Sequence, residues 1–242
     1  MVDNMGVREI KQHVLKVLQH SNLSYVQKEL ACLPAKDTVN VLFSALSRQE
    51  EQVRWYAITA IGPLVALLAE EDMEEARIIM RRLLWSLNDE SGGIGWGAPE
   101  AMSEIMCCHQ GLAEEYVHML LSYMRPDGEE LHQDGNFLEH ESLQQGVMWA
   151  AGRLGQCQRE LASAKGMGRD LPPYLSSADA TVRGLAARAI GILGPQEKDL
   201  IPLEKLLKMT EDKAEVSLYT EGAIKKITVG ELAVQALANV KI

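Results

Sequence analysis

Apolar residues return every three or four positions along most of this chain, the period of an α-helix that buries one face. In VRWYAITAIG (53–62), Val53, Ala57, Ala60 and Ile61 fall at i, i+4, i+7 and i+8, and the small alanines let a neighbouring helix approach closely. Further helical patterns are predicted over Val39 to Leu46, Ala76 to Leu87, Leu112 to Met124, a short one near Leu171 to Leu175, and Ile201 to Met209. One stretch breaks the period. AEVSLYTEGAIKKITV (214–229) alternates apolar and polar residues on either side of Thr220-Glu221-Gly222, which predicts a β-hairpin.

The helical segments repeat one another. VRGLAARAIG (182–191) matches VRWYAITAIG at Val, Arg, Ala, Ala, Ile and Gly, 129 positions later. The same template fits IGWGAPEAMSEI (94–105) through Ile94, Ala98, Ala101 and Met102, and VGELAVQAL (229–237) through Val229, Ala233, Ala236 and Leu237. A looser copy, GVMWAAGRLG (146–155), keeps Ala150, Leu154 and Gly155 but puts Arg153 where a small residue belongs. Each copy follows one of the other helical patterns, so the unit is a helical hairpin that is stable only when stacked on its neighbours. The run DATVRGLAARAIGILG (179–194) and its weaker copies resemble the HEAT-repeat family, including the subgroup related to phycobilin lyases. SGGIGWGAPEAM, GNFLEH and GVMWAAGRLG also look like motifs of an uncharacterised bacterial HEAT-repeat subgroup. The resemblance covers roughly 36 to 240 and implies an all-α, right-handed α-α superhelix of HEAT/armadillo type, with the small hairpin inserted near the C-terminus.

The expected organisation is an N-terminal helical cap (1–35) followed by a repeat array (36–242), together one continuous domain. Second helices of the repeats are expected near 51–68, 98–107, 141–155, 179–194 and 229–240, with insertions at 88–97, 125–141 and 214–228. The hairpin should cap the last repeat, or cover the exposed edge of the last helix pair. In the glycine-rich insertion NDESGGIGWGAPEAM (88–102), Pro99 suits a first helical turn, where its missing N–H costs nothing.

Composition narrows the partners. The chain has 242 residues, 47% of them hydrophobic, enough for a substantial core. A net charge of −10 argues against nucleic acid, whose phosphates demand a basic surface. No run of eighteen apolar residues suggests a membrane span and the N-terminus lacks a signal-peptide pattern, so no membrane partner and a cytoplasmic location are expected. Cys32, Cys107, Cys108 and Cys157 form no C-x-x-C pair and read as reduced thiols.

Candidate chemistry is sparse. Trp55 and Trp96 occupy equivalent repeat positions, and Trp149 lies one place off that register. If the second helices line the inner surface, as the resemblance implies, these indoles suit a contact surface; Trp85, on a first helix, is expected in the core. Glu90 and Glu100 bring negative charge to the glycine-rich stretch, and His140 lies between Glu139 and Glu141. Arg153, if it points inward, needs a paired anion. Cys107-Cys108-His109 matches no zinc spacing, and no catalytic group, metal or cofactor is expected. The function expected is a non-enzymatic scaffold presenting a concave, acidic and aromatic surface to a protein or peptide. The alternative is a small-ligand-binding or lyase-like protein whose pocket joins the 88–100 loop to the 126–141 insertion.

Overall fold

A computed structural model describes residues 5–88, 95–128, 135–194 and 202–240. The chain divides into two compact units, one ending at Leu112 and also holding Tyr219–Ala223, the other formed by Ala113–Leu218 and the residues from Ile224 onward. In the first unit α1 (Val7–Val17), α2 (Leu23–Ala31), α3 (Ala35–Ala45), α4 (Glu51–Glu71), α5 (Met73–Leu87) and α6 (Ala98–Cys108) follow in order. A further helix, α7 (Gln110–Ser122), runs on from them. The second unit contains α8 (Glu141–Cys157), the short α9 (Arg159–Ala164) and α10 (Met167–Asp170), a 3₁₀ turn at Pro172–Ser176, and α11 (Ala180–Leu193). After these come α12 (Leu203–Met209), the strands β1 (Glu215–Thr220) and β2 (Ala223–Thr228), and α13 (Val229–Val240).

The repeated motif makes the core of each unit. In α4, Ala57, Ala60 and Ile61 are fully buried, and α6 packs along it with Ala98, Ala101 and Met102 equally enclosed. In the second unit α11 packs against both α8 and α13, and Val182, Ala186, Ala189 and Ile190 of α11, Ala150 and Leu154 of α8, and Ala233 and Ala236 of α13 are all buried. Ile94 lies outside the described residues. The glycine that closes the motif explains the closeness of these packings. A β-carbon at Gly62 would lie 2.7 Å from the Glu104 carbonyl oxygen of α6, and one at Gly191 only 2.6 Å from the Ala236 Cα of α13. Gly155, in the third copy, stands against Ile192 of α11 in the same way.

Local signals set the helix ends. Asp179 accepts the Val182 N–H at 2.8 Å and caps α11, and Asn22 and Asp72 cap α2 and α5 alike. Gly97, at φ 77°, precedes α6, which has proline in its first turn as expected. The strands form a two-stranded antiparallel sheet turning at Glu221 (φ 52°) and Gly222 (φ 76°), the two positive φ values of a hairpin turn that matches strand twist.

Two expectations are corrected. Trp85 is not core: it is 77% exposed, because α5 buries Ala76, Met80, Leu83 and Leu87, a stripe that leaves position 85 on the opposite face. Only Cys32 and Cys108 are free thiols, whereas Cys107 and Cys157 are disulfide-bonded. By length and composition α4 is apolar enough to cross a membrane. It is, however, the central core helix of its unit, packed against α2, α3, α5 and α6.

Candidate functional site

In the first unit Trp55, Trp96 and Glu100 have different environments. Trp55, half-buried on α4, stacks on Tyr219 with ring centres 4.5 Å apart and planes 6° from parallel. One turn further on, Thr59 donates to its own helix at Trp55 O and shares a 3.0 Å hydrogen bond with the Tyr219 hydroxyl. Tyr219 is buried, and loss of water raises its pKa despite the Thr59 bond. Beside it on α4, Tyr56 donates to Ser21 O at 3.1 Å. Tyr219 is 164 positions from Trp55 in the chain, and nothing in either local sequence announces the pair.

Trp96 stands 39% exposed on the turn before α6. Two glycines hold that turn down. A β-carbon at Gly95 would lie 2.6 Å from the Ser86 carbonyl oxygen, and one at Gly97 would meet Leu46 at 3.1 Å. The glycines therefore let backbone lie on backbone where a side chain would intrude. In the first turn of α6, Glu100 carries a fully enclosed Oε2 with no hydrogen-bond partner. Burial pushes its pKa up to about 7, against the smaller opposing effects of a backbone hydrogen bond and the Arg54 charge. Glu90 lies outside the described residues.

In the second unit His140 is exposed and structural in its visible contacts: it precedes α8, and its Nδ1 accepts the Ser142 N–H at 3.3 Å. Trp149 is only 6% exposed, which removes it from the contact surface and makes it a packing residue of α8. Arg153, half-buried on α8, has interactions of its own and lies near Arg188 of α11. A β-carbon at Gly152 would sit 2.6 Å from Arg188 Nη1, so the guanidinium lies directly against the α8 backbone. Burial first, and the Arg153 charge second, lower the Arg188 pKa.

The described residues enclose modest cavities. One of about 360 Å³ runs between α2 and α4, lined by Leu30, Ala60, Pro63, Leu64 and Leu67 with Gln27 and Lys28 at its edge. A second, about 350 Å³, lies by Asp212, Glu231 and Val234, and a third, about 250 Å³, by Pro126, Asp127, Phe137 and Glu139. Asp212 is held by Arg183, whose Nε donates to it at 2.7 Å, and Glu231 accepts from both the N–H and the hydroxyl of Thr228. Asp212 is thus held to α11 and accepts the Ala214 N–H ahead of β1, while Glu231 shapes the start of its own helix. Among the described residues no cluster of three metal-ligating side chains occurs.

Aligning the repeat copies shows a feature that the conspicuous residues conceal. The position two before Ile61 and its equivalents carries Thr59 in α4, Glu100 in α6, Gly152 in α8, Arg188 in α11 and Gln235 in α13. Its neighbours keep their apolar or small character in every copy but α8, where Arg153 follows it, while this one changes from hydroxyl to carboxyl, hydrogen, guanidinium and amide. The signal was available in the repeats themselves. Matching identical residues draws attention to the packing face and away from the variable register beside it.

Comparison with protein-family models finds no match, and comparison with curated proteins finds none. Solved structures do resemble the fold. An engineered protein from a structural-genomics consortium superposes with a TM-score of 0.53 at 17% identity, covering 98% of this chain and 97% of its own. A computationally designed armadillo repeat protein for modular peptide recognition gives 0.50 at 17% identity, with 96% and 100% covered. A designed armadillo repeat protein in complex with the peptide (KR)4 gives 0.52 at 18%, with 96% and 99% covered. The fold therefore defines the class, an α-helical repeat protein of armadillo/HEAT type with a small antiparallel hairpin near its C-terminus.

Proposed function

We propose that this protein is a non-enzymatic scaffold that binds a basic peptide, or a basic segment of a protein partner, along the helix surfaces of its repeats. The observation that carries the reading is the pair of exposed indoles, Trp96 at 39% and Trp85 at 77%, on a fold shared with a designed protein in complex with (KR)4. Tryptophan is costly to leave in water and is enriched among the residues that dominate binding energy. The net charge of −10 favours a cationic partner over an anionic one. A third indole, Trp55, is half-buried on α4 and held by its stack on Tyr219. Fold likeness supplies the binding mode by analogy, and the exposed aromatic residues supply the reason to expect it here.

Isothermal titration calorimetry with (KR)4, a neutral glutamine analogue and an aspartate analogue tests the proposal. The basic peptide should bind most tightly, weaken as salt is added, and lose about tenfold in affinity in Trp96→Ala. Equal binding of all three peptides, or no change in Trp96→Ala, would overturn it.

A further inference from the structure

Arg188 is a cation without a counter-ion among the described residues. It lies half-buried on α11, and among the described residues it has neither a hydrogen-bond nor an ion-pair partner. Arg183, one turn earlier on the same helix, shows the ordinary arrangement, with Nε on Asp212 at 2.7 Å and Nη1 on Ala178 O at 2.8 Å. Arg125 is similarly satisfied by Asp170 at 2.9 Å and Lys165 O at 2.7 Å. Arg188 instead has a second arginine, Arg153, as its charged neighbour, and burial first and that like charge second lower its pKa. A guanidinium presents up to five donors in a fixed fork matched to an oxyanion, and holding it partly desolvated beside a like charge is unfavourable until an anion arrives.

The surroundings are built for this position. Gly152 and Gly155 are three residues apart on α8 and face Arg188 and Ile192, four apart on α11. Ile192 fills the space at Gly155 as a packing residue should. The space at Gly152 is filled by the charged end of Arg188, which a β-carbon 2.6 Å from Nη1 would displace. The glycine thus sets where the guanidinium lies. Arg188 also occupies the register in which the repeats vary, the place where an array of otherwise similar helices can differ in what it recognises.

We propose that Arg188, supported by the charge of Arg153 and positioned by Gly152, is an oxyanion-binding site, and that its occupant is a carboxylate carried by the peptide partner. Only the source of the oxyanion rests on the peptide-binding reading; the site itself does not. The fork geometry fits a carboxylate or a phosphate, so both are tested.

The experiment follows the arginine Nε–Hε resonances of the full chain by NMR, at low salt, during titration with acetyl-tetraglutamate-amide and, separately, with inorganic phosphate. Thermal unfolding is measured alongside. Tetraglutamate should shift the Arg188 resonance to saturation and raise the unfolding midpoint, and both effects should vanish in Arg188→Gln. Gly152→Ala, which keeps both charges, should weaken binding about tenfold by moving the fork. Without ligand, Arg188→Gln should unfold about 2–4 °C higher, since it removes an uncompensated cation. A fall in midpoint of that size would mean that the residue is a structural pair, and would overturn the proposal. Saturation by phosphate alone upholds the oxyanion site and transfers its source from peptide to free phosphate. No shift with either probe at millimolar concentration overturns the site, whatever becomes of (KR)4 binding. Failure of every peptide with retained phosphate binding would instead count against the peptide scaffold alone.

Discussion

The two closest copies of the repeated motif, VRWYAITAIG in α4 and VRGLAARAIG in α11, agree in what they pack and differ in what they present. Gly62 and Gly191 do the same work, each admitting the backbone of another second helix of its own unit. The arginines have already diverged: Arg183 is locked to Asp212, whereas Arg54 makes looser contacts, with Arg48 O at 3.4 Å and Glu51 at 4.0 Å. The separation is widest outside the shared letters. Where α4 has Trp55 stacked on Tyr219, α11 has Gly184, whose missing side chain leaves room for Leu232 and Val229 of α13. Where α4 has Thr59 satisfied by a tyrosine hydroxyl, α11 has Arg188 with no partner among the described residues. Identity between copies thus marks the core, and difference marks the candidate contact positions.

The largest effect is expected where the shared glycine is filled. Gly62→Ala and Gly191→Ala each set a methyl against a neighbouring backbone, which cannot rotate away, and should each cost about 3 kcal/mol in denaturant unfolding. Gly155→Ala meets side chains and no backbone, the Ile192 γ-methyl at 3.0 Å and the Met167 end at 3.6 Å, and gains helix propensity, so its cost should stay near or below about 1 kcal/mol. Equal effects at all three positions would show that helix propensity, not close approach, selects the glycine.

The next effect depends on pH and concerns the register that separates the copies. Glu100 shares the register of Thr59 and Arg188. In the folded protein its carboxyl keeps its proton to about pH 7, while an unfolded-chain glutamate loses it near 4.5. Stability from this group is therefore complete below 4.5 and is lost as pH rises through 7, to a limit on the order of 3 kcal/mol. Glu100→Gln should leave unfolding at pH 4 unchanged and stabilise the protein at pH 8. A variant destabilised equally at both pH values would mean that Oε2 is paired, and would remove Glu100 from the variable set.

The smallest effect lies at the helix entrances. Asp179 caps α11 through the Val182 N–H, whereas Glu50, in the corresponding place, makes no side-chain cap to α4. Asp179→Ala should cost about 1 kcal/mol and Glu50→Ala almost nothing, measured by the same unfolding series.

Much of the fold was legible because the periodicity of the motif is the periodicity of the buried face. Ala98, Ala101, Met102, Val229, Ala233, Ala236 and Leu237 are all buried as their spacing requires, and the hairpin turns at Glu221-Gly222. Trp85 was misread because its hydrophobicity outweighed the stripe of Ala76, Met80, Leu83 and Leu87 that already assigned it to the outer face. The candidate site was less legible. Tyr219 reaches Trp55 only through tertiary structure, and that Arg188 has no partner among the described residues is a matter of which groups fail to approach it. His140 looked like a chemical residue because carboxylates flank it in sequence, and its Nδ1 accepts the Ser142 N–H at the start of α8.

The burial of the tryptophans has an optical consequence. Trp85 is almost fully wetted, Trp96 about two-fifths so, Trp55 is covered on one face by a phenol, and Trp149 is sealed inside a helix packing. Their indoles therefore form a graded series of emitters, red-shifted and open to quenchers at one end, blue-shifted and protected at the other. The first unit carries three of them and the second carries one. Unfolding of either unit, or occupation of its surface, writes a different colour change into the light of the unlabelled protein.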